Sequence, residues 1–171
     1  QQGGIPMDQM PAYIEELCNL IEWANGDPAT NEWARRRAEA GHPEPFHLKY
    51  LGIGNEDIIS TVFEERYAMI CEALRERHPE IKVCGTVGPF HTPSADYLEG
   101  WDLMRRHPDW QYMTDEHYYE ATGWFLHHRD YYDHYPRTLN SQLSTLNSPK
   151  VYLGEWAAST HVKRPNVETA L

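Results

Sequence analysis

The fold of this chain is decided by HLKYLGIGNED at residues 47–57 and by KVYLGEW at residues 150–156. Each stretch begins with a mostly apolar run that predicts a buried strand, and a glutamate follows each run, Glu56 in the first stretch and Glu155 in the second. In a parallel α/β barrel, groups at the carboxyl ends of the strands point into one active site. Glu56 and Glu155 can therefore face the same substrate although they lie far apart in the sequence.

The remainder of the chain alternates between helical and strand patterns. The predicted helices span residues 7–24, 58–77 and 94–106, and the predicted strands span residues 48–53, 81–87, 111–116 and 150–154. Residues 27–46 are rich in charge, glycine and proline, which predicts an irregular loop with one helical turn around residues 33–37. Strands separated by helices indicate parallel βαβ units with right-handed connections. A closed (β/α)8 barrel needs about 250 residues, so this chain holds roughly half of one or folds as a smaller architecture.

The composition limits the kind of partner. The formal charge of −11 at pH 7 and the pI near 5.3 argue against nucleic acid or an anionic membrane surface, since both require a basic face. A neutral ligand such as carbohydrate fits better. No apolar run approaches the roughly 20 residues of a membrane span. Cys18, Cys71 and Cys84 include no C-x-x-C pair, so neither structural zinc nor a dense disulfide framework is expected, and the sequence leaves their redox state open.

Two facing carboxylates are the groups that hydrolyse a glycosidic bond. With retention of configuration, one carboxylic acid protonates the leaving oxygen and the other carboxylate attacks the anomeric carbon, at a separation of about 5 to 5.5 Å. Glu56 and Glu155 are the candidates for this catalytic pair. Because one group must be protonated and the other ionised, we expect a bell-shaped activity profile on the acidic side of neutral pH.

Polar neighbours of the two glutamates are candidates for binding a sugar. Asn55 can donate its amide hydrogens to a sugar hydroxyl near the reacting carbon, or it can simply complete a turn after Gly54. His117 and Tyr119 follow a predicted strand at alternate positions, so they project to one side if the extended pattern continues. They can hold the nucleophile and the sugar, although a histidine at a strand end is also common as a structural residue.

Other kinds of site are poorly supported. Histidines and aspartates at residues 117–134 are suitable metal ligands by type, but no H-E-x-x-H or similar helical spacing occurs, so neither a metal nor a cofactor is expected. The sequence has no G-x-S-x-G elbow and no Walker-type phosphate loop. GTVG at residues 85–88 lacks the third glycine and the later acidic residue of a dinucleotide site.

With these residues in place, the chain resembles glycoside hydrolase family 51, the α-L-arabinofuranosidases of the retaining clan built on (β/α)8 barrels. The resemblance runs along nearly the whole chain and rests on motifs that occur in the order expected of the family. These motifs are IEWANG at 21–26, GHPEPF at 41–46, KY at 49–50 with IGNED at 53–57, DEHYY at 115–119 and GEWA at 154–157.

The resemblance implies roles for particular residues. Glu56 would be the general acid/base at the end of the fourth barrel strand and Glu155 the nucleophile at the end of the seventh. Active-site contacts with the substrate would come from Asn55, His117, Tyr118, Tyr119 and Trp156. Residues 1–171 would then be a partial α/β catalytic domain, about strands 4 to 7 with their helices, incomplete at both ends. A secreted location, a carbohydrate substrate and self-association of the full-length enzyme would be compatible with this reading.

Two alternatives stay open at this point. Other members of the same clan also place an Asn-Glu pair on one strand and a single Glu on a later one, so a β-glycosidase such as a xylanase is the second enzymatic hypothesis. The missing strands would also supply sugar-binding groups. The chain could therefore be a non-catalytic sugar-binding or scaffold fragment.

Overall fold

The computed structural model describes residues 4–89, 94–134 and 150–159. In these ranges the strands are β1 (Tyr50–Gly52), β2 (Lys82–Thr86), β3 (Met113–Ala121) and β4 (Lys150–Ser159). The α-helices are α1 (Met10–Asn25), α2 (Glu32–Glu39), α3 (Thr61–Arg77), α4 (Ala95–Arg106) and α5 (Thr122–His127), and short 3₁₀ turns occur at Met7–Gln9 and Tyr131–His134. The strands form one sheet in the order β1-β2-β3-β4, as expected of consecutive βαβ units.

The chain divides into two compact units, of which the first comprises Gln1–Ile53 with Ser60–Cys84. Its strands β1 and β2 pair in parallel, from Tyr50 opposite Lys82 to Gly52 opposite Cys84. Helices α1 and α3 bury apolar residues that recur every three or four positions, because that spacing lines one helix face. These core residues are Met10, Ile14, Cys18, Ile21 and Ala24 in α1 and Tyr67, Ile70, Cys71 and Leu74 in α3.

The second unit comprises Gly54–Ile59 with Gly85–Leu171, and it contains β3, β4 and α4. Helix α4 begins after Ser94, whose Oγ accepts a hydrogen bond from the Tyr97 N–H at 3.2 Å. This cap satisfies one of the unpaired N–H groups of the first turn. The predicted helices at residues 7–24, 58–77 and 94–106 are thus confirmed to within a few residues, since periodicity and capping are local signals.

The prediction of an irregular loop at residues 27–46 placed a helical turn around residues 33–37 correctly but made the helix too short. Helix α2 covers eight residues there and is capped by Asn31, whose Oδ1 accepts a hydrogen bond from the Ala34 N–H at 3.0 Å. Its inward face carries Ala34 and Arg37, both fully buried. The charged composition misled the prediction because one of the charges, Arg37, faces inward and not toward solvent.

Strand lengths also differ from the expected ones. Strand β1 has three residues and is not buried, since Tyr50 and Gly52 are exposed and Leu51 is half-buried. Strands β3 and β4 continue past their expected ends, by five residues each. His117, Tyr119 and Glu155 therefore lie within strands, whereas Glu56 does follow β1.

In the described ranges, no helix has both the length and the apolar character needed to cross a membrane. Cys18, Cys71 and Cys84 are all buried and unbridged.

Candidate active site

One residue of β4 interrupts its regular pairing with β3. Glu116 lies opposite Leu153, but the next residue of β3, His117, lies opposite Glu155, so Gly154 is an extra residue in β4. Such a bulge re-aims the side chains that follow it, because side chains alternate between the two faces of a strand. The bulge puts Glu155 on the face that carries Asp115, His117 and Tyr119.

Glu56 is placed by a tight turn after β1. Gly54 has φ +88°, and a side chain there would meet the Thr86 Cγ2 at 2.8 Å, so glycine is required both for its backbone and for its size. The Asn55 N–H donates to the Asp57 carboxylate at 2.9 Å. Glu56 itself has φ +54°, a left-handed conformation that costs a non-glycine residue about 1–2 kcal/mol. Backbone strain is therefore held at the position that aims this carboxylate.

His117 connects the acidic groups of the site. Its Nδ1 lies 2.9 Å from the Glu56 Oε1 and 3.7 Å from the Glu155 Oε2, and its Nε2 lies 3.2 Å from the Asp115 Oδ2. The Tyr119 hydroxyl donates to the Glu155 Oε2 at 2.7 Å. The His117 side chain is only 2% exposed, while those of Glu56 and Glu155 are 34% and 40% exposed. The imidazole is thus sealed beneath two carboxylates that a ligand can reach.

Electrostatics favour a charged His117. Burial opposes the charge, but hydrogen bonds with Glu56 and Asp115, together with the charge of Glu155, outweigh it and raise the pKa of His117 above its ordinary value. In the imidazolium form both ring nitrogens donate, Nδ1 to Glu56 and Nε2 to Asp115. The hydrogen bond between Tyr119 and Glu155 raises the pKa of the Tyr119 hydroxyl, so this hydroxyl stays a donor near neutral pH.

The two glutamates are close enough to act on one bond. One oxygen of Glu56, one nitrogen of His117 and one oxygen of Glu155 all lie within 4.8 Å of one another. In the part of the chain that the structure describes, Glu56, His117 and Glu155 are therefore also close enough together to hold a metal ion. Among these groups Glu56 and His117 share a hydrogen bond, and Glu155 accepts one from Tyr119.

Comparison of the chain with known proteins identifies its family. Residues 1–137 match the family model described as the Alpha-L-arabinofuranosidase 1 domain. The chain belongs to this family. It is 38% identical over 146 residues to the extracellular exo-alpha-L-arabinofuranosidase of Streptomyces chartreusis, which covers 85% of this chain and 16% of that protein. It is 28% identical over 163 residues to alpha-L-arabinofuranosidase 2 of Arabidopsis thaliana, which covers 93% of this chain and 20% of that protein.

A solved structure agrees with this assignment. The arabinose-bound MgGH51 α-L-arabinofuranosidase superposes with a TM-score of 0.66 at 27% identity, covering 91% of this chain and 21% of that one. With its parallel strands and intervening helices, this member of the arabinofuranosidase family is an α/β protein with the fold of a partial (β/α)8 barrel. The chain spans about one fifth of the length of each of these three relatives.

The arabinofuranosidase-family chain brings some of the predicted site residues together and separates others. Glu56, His117, Tyr119 and Glu155 form one connected cluster. Asn55 lies beside it on the turn and is exposed. The hydrogen bond of Asn55 to Asp57 uses its backbone N–H, as expected if Asn55 serves to complete the turn.

Tyr118 and Trp156 do not join this cluster. They lie opposite each other in the β3–β4 pairing, one residue after His117 and Glu155, and therefore on the other face of the sheet. Tyr118 is 2% exposed and its hydroxyl donates to the buried Glu116 at 2.5 Å. The Trp156 ring packs against the Phe125 ring, with 5.9 Å between the ring centroids. Strand alternation thus places these two side chains on the other face of the sheet from the cluster.

Asp115 is the site residue that sequence reasoning did not single out. Its carboxylate contacts the His117 Nε2 and accepts a hydrogen bond from the Gly154 N–H at 2.9 Å. The sequence does contain an indication of this role. Asp115 lies two residues before His117 and four before Tyr119, and residues at that spacing share one face of a strand. Because the predicted strand ends at Glu116, it does not place Asp115 and His117 on one strand face.

Proposed function

We propose that this chain carries both catalytic carboxylates of a retaining α-L-arabinofuranosidase, with Glu56 as general acid/base and Glu155 as nucleophile. The observation that carries the proposal is that one carboxylate oxygen of Glu56 and one of Glu155 lie within 4.8 Å of each other, both next to the His117 Nδ1. So close an approach of two oxygens suits the roughly 5–5.5 Å between the carboxyl groups of retaining enzymes better than the roughly 6.5–9.5 Å that inverting enzymes need for a water molecule.

In the first step, the Glu155 Oε attacks the anomeric carbon of a terminal arabinofuranosyl unit. The bond to the leaving oxygen breaks as Glu56 donates its proton to that oxygen, which leaves a glycosyl ester on Glu155. In the second step, Glu56 accepts a proton from water, and the water oxygen attacks the anomeric carbon and releases Glu155. Both residues return to their starting states, and the configuration is retained.

His117 and Tyr119 support these steps from inside the network. The Tyr119 hydroxyl donates to the Glu155 Oε2, which orients the nucleophile. A positive His117 lies within 3.7 Å of Glu155 and 2.9 Å of Glu56. It stabilises the ionised nucleophile and also the carboxylate that Glu56 becomes after it has given up its proton. Asn55 is the neighbouring group available to a sugar hydroxyl.

The wider context of the proposal follows from the relatives. Residues 1–171 would be part of a catalytic domain, and the substrate would be an arabinose-bearing oligosaccharide or polysaccharide such as arabinan or arabinoxylan. An extracellular location is supported by the name of the Streptomyces relative. The net charge of −11 suits a neutral carbohydrate.

The variants are made in the longest expressible protein that contains these 171 residues, which we call the assay protein. Glu155→Gln should lower kcat on an aryl α-L-arabinofuranoside by at least about a thousandfold, and Glu56→Gln by about 10²–10⁴-fold for a poor leaving group. Glu99→Gln, an exposed glutamate of α4, is the matched control and should leave kcat unchanged.

Two further readings sharpen the test. Proton NMR of the first product formed should show the same anomeric configuration as the substrate. An aryl xyloside, assayed in parallel, should be turned over far more slowly than the arabinofuranoside. Full activity of Glu155→Gln would contradict the assignment, and faster hydrolysis of the xyloside would favour the alternative β-glycosidase.

A further inference from the structure

The Asp115 carboxylate touches both parts of the candidate site. Its Oδ1 accepts the hydrogen bond from the Gly154 N–H at 2.9 Å, and its Oδ2 lies 3.2 Å from the His117 Nε2. Gly154 is the extra residue of the β4 bulge, and His117 contacts both Glu56 and Glu155. One side chain on β3 therefore contacts the backbone that aims Glu155 and the imidazole that holds Glu56.

The bulge decides which face of the sheet carries Glu155. With regular pairing after Glu116 and Leu153, His117 would lie opposite Gly154, and Glu155 would lie opposite Tyr118 on the other face. Instead Glu155 lies opposite His117. The bulged residue loses its regular place in the ladder, so its N–H needs another acceptor, and Asp115 provides one.

Steric fit couples the two residues further. A Cβ at position 154 would lie 2.3 Å from the Asp115 Oδ1 and 2.8 Å from its Oδ2, well inside any real contact. Glycine at this position thus leaves the space that the carboxylate fills. The hydrogen bond and the missing side chain together match Asp115 to the bulge.

Resting on the function proposed above, we propose that Asp115 is a positioning residue that holds the Gly154 bulge and thereby aims Glu155 at the substrate. Its second contact, with the His117 Nε2, orients the imidazole toward Glu56 and Glu155. Asp115 does not itself touch the reacting atoms. Its influence on the reaction passes through Glu155 and His117.

Two substitutions at Asp115 separate these contacts in the assay protein. Asp115→Ala removes both, and misaiming the nucleophile by about 1 Å should lower kcat about 100-fold with KM changed much less. Asp115→Asn keeps an oxygen that accepts from the Gly154 N–H, but its amide nitrogen only donates, so the Nε2–H of a charged His117 loses its acceptor there. Because the bulge survives, Asp115→Asn should retain most of the kcat on an activated substrate. Asp102→Asn, an exposed acidic residue of α4, is the control.

The leaving group identifies which carboxylate is affected. A dinitrophenyl arabinofuranoside needs no proton from Glu56, whereas an alkyl arabinofuranoside does. If Asp115 acts through Glu155, Asp115→Ala slows both substrates by similar factors. If the loss is confined to the alkyl substrate, Asp115 acts only through the acid, and the proposal is overturned.

Gly154→Ala provides a second route that does not depend on Asp115→Ala folding. The added methyl group should lower kcat by a similar factor, but it should add little in a protein that already carries Asp115→Ala, because the carboxylate it would meet is gone. Fully additive effects would count against the coupling. Gly123→Ala is the matched control, since a Cβ there meets nothing within 4 Å.

A crystal structure of Asp115→Ala distinguishes a failure of this inference from a failure of the proposed function. The Glu155 carboxylate should move away from the His117 Nδ1, from which it now lies 3.7 Å. An unchanged bulge and an unchanged Glu155 would overturn the positioning role whatever Glu155 does in catalysis. Conversely, if Glu155→Gln keeps its turnover while Asp115→Ala displaces Glu155, the geometry stands and the proposed reaction fails.

Discussion

Glu56 occupies a backbone conformation that its own side chain disfavours. At φ +54° its Cβ is crowded by its own backbone, while glycine adopts this region freely. The conformation persists because the turn is fixed on both sides, by Gly54 against Thr86 and by the Asn55 hydrogen bond to Asp57. What the strain secures is the direction of a carboxylate whose oxygen meets His117 at 2.9 Å.

This strain predicts an inverted order of stability at position 56. Glu56→Ala and Glu56→Gly both remove the carboxylate, but only glycine relieves the left-handed strain, so Glu56→Gly should be more stable by about 1 kcal/mol. At most other positions alanine is the more stable of the two. Urea unfolding of both variants measures the difference, and a more stable alanine variant would show that position 56 is not strained.

At the scale of elements, the buried Arg37 holds α2 against the end of α1. Its guanidinium donates to four backbone carbonyls, those of Trp23, Gly26, His42 and Pro43, at 2.7 to 3.0 Å. The carbonyls at the end of a helix lack partners within the helix, and a cation is favoured there. Arg37 therefore fixes both the exit from α1 and the chain that follows α2.

Replacing Arg37 should destabilise this unit strongly. Arg37→Met keeps the length of the side chain but leaves several buried carbonyls without donors, which should lower the unfolding free energy by about 3 kcal/mol or more. Arg35→Met, on the exposed face of the same helix, is the control and should change it by less than about 0.5 kcal/mol. Circular dichroism in urea measures both, and equal effects would refute a special role for Arg37.

The elements of this chain differ in how far their own sequence determines them. The helices α1, α3 and α4 follow from apolar spacing, which is a local property of the chain, and the structure shows the caps Ser60 and Ser94 at the start of α3 and α4. The bulge at Gly154 is set by the fit between two strands, so neither strand reveals it alone. For the same reason the sequence indicated that Glu56 and Glu155 would meet but could not indicate how β4 turns Glu155 toward His117.

At the scale of the whole molecule, the pH dependence of stability combines every group whose pKa changes on folding. The chain carries 26 acidic residues and ten histidines, so the total curve alone does not isolate one site. His117 contributes with a definite sign. Its pKa is raised in the folded protein, so the folded state binds its proton more tightly than the unfolded state.

The stability that His117 contributes should be fully present below its unfolded pKa of about 6.5 and lost as the pH rises through its higher folded pKa. Comparing the wild type with His117→Gln in urea at several pH values isolates this part. The advantage of the wild type should shrink as the pH rises from about 6 toward 9. An advantage that grows with pH would mean that His117 is neutral in the folded protein, and ¹⁵N NMR of the ring would verify either result.

The bulge in β4 makes the site depend on whether a residue count is odd or even. From Lys150 to Glu155 the backbone takes one step more than the matching run of β3 from Met113 to His117. If the two strands paired regularly at their present length, Glu155 and Trp156 would exchange faces without any change in either side chain. The parity of the register between the two strands thus decides the site. A shift of one residue turns Glu155 to the other face of the sheet, and a shift of two returns it to the face of His117.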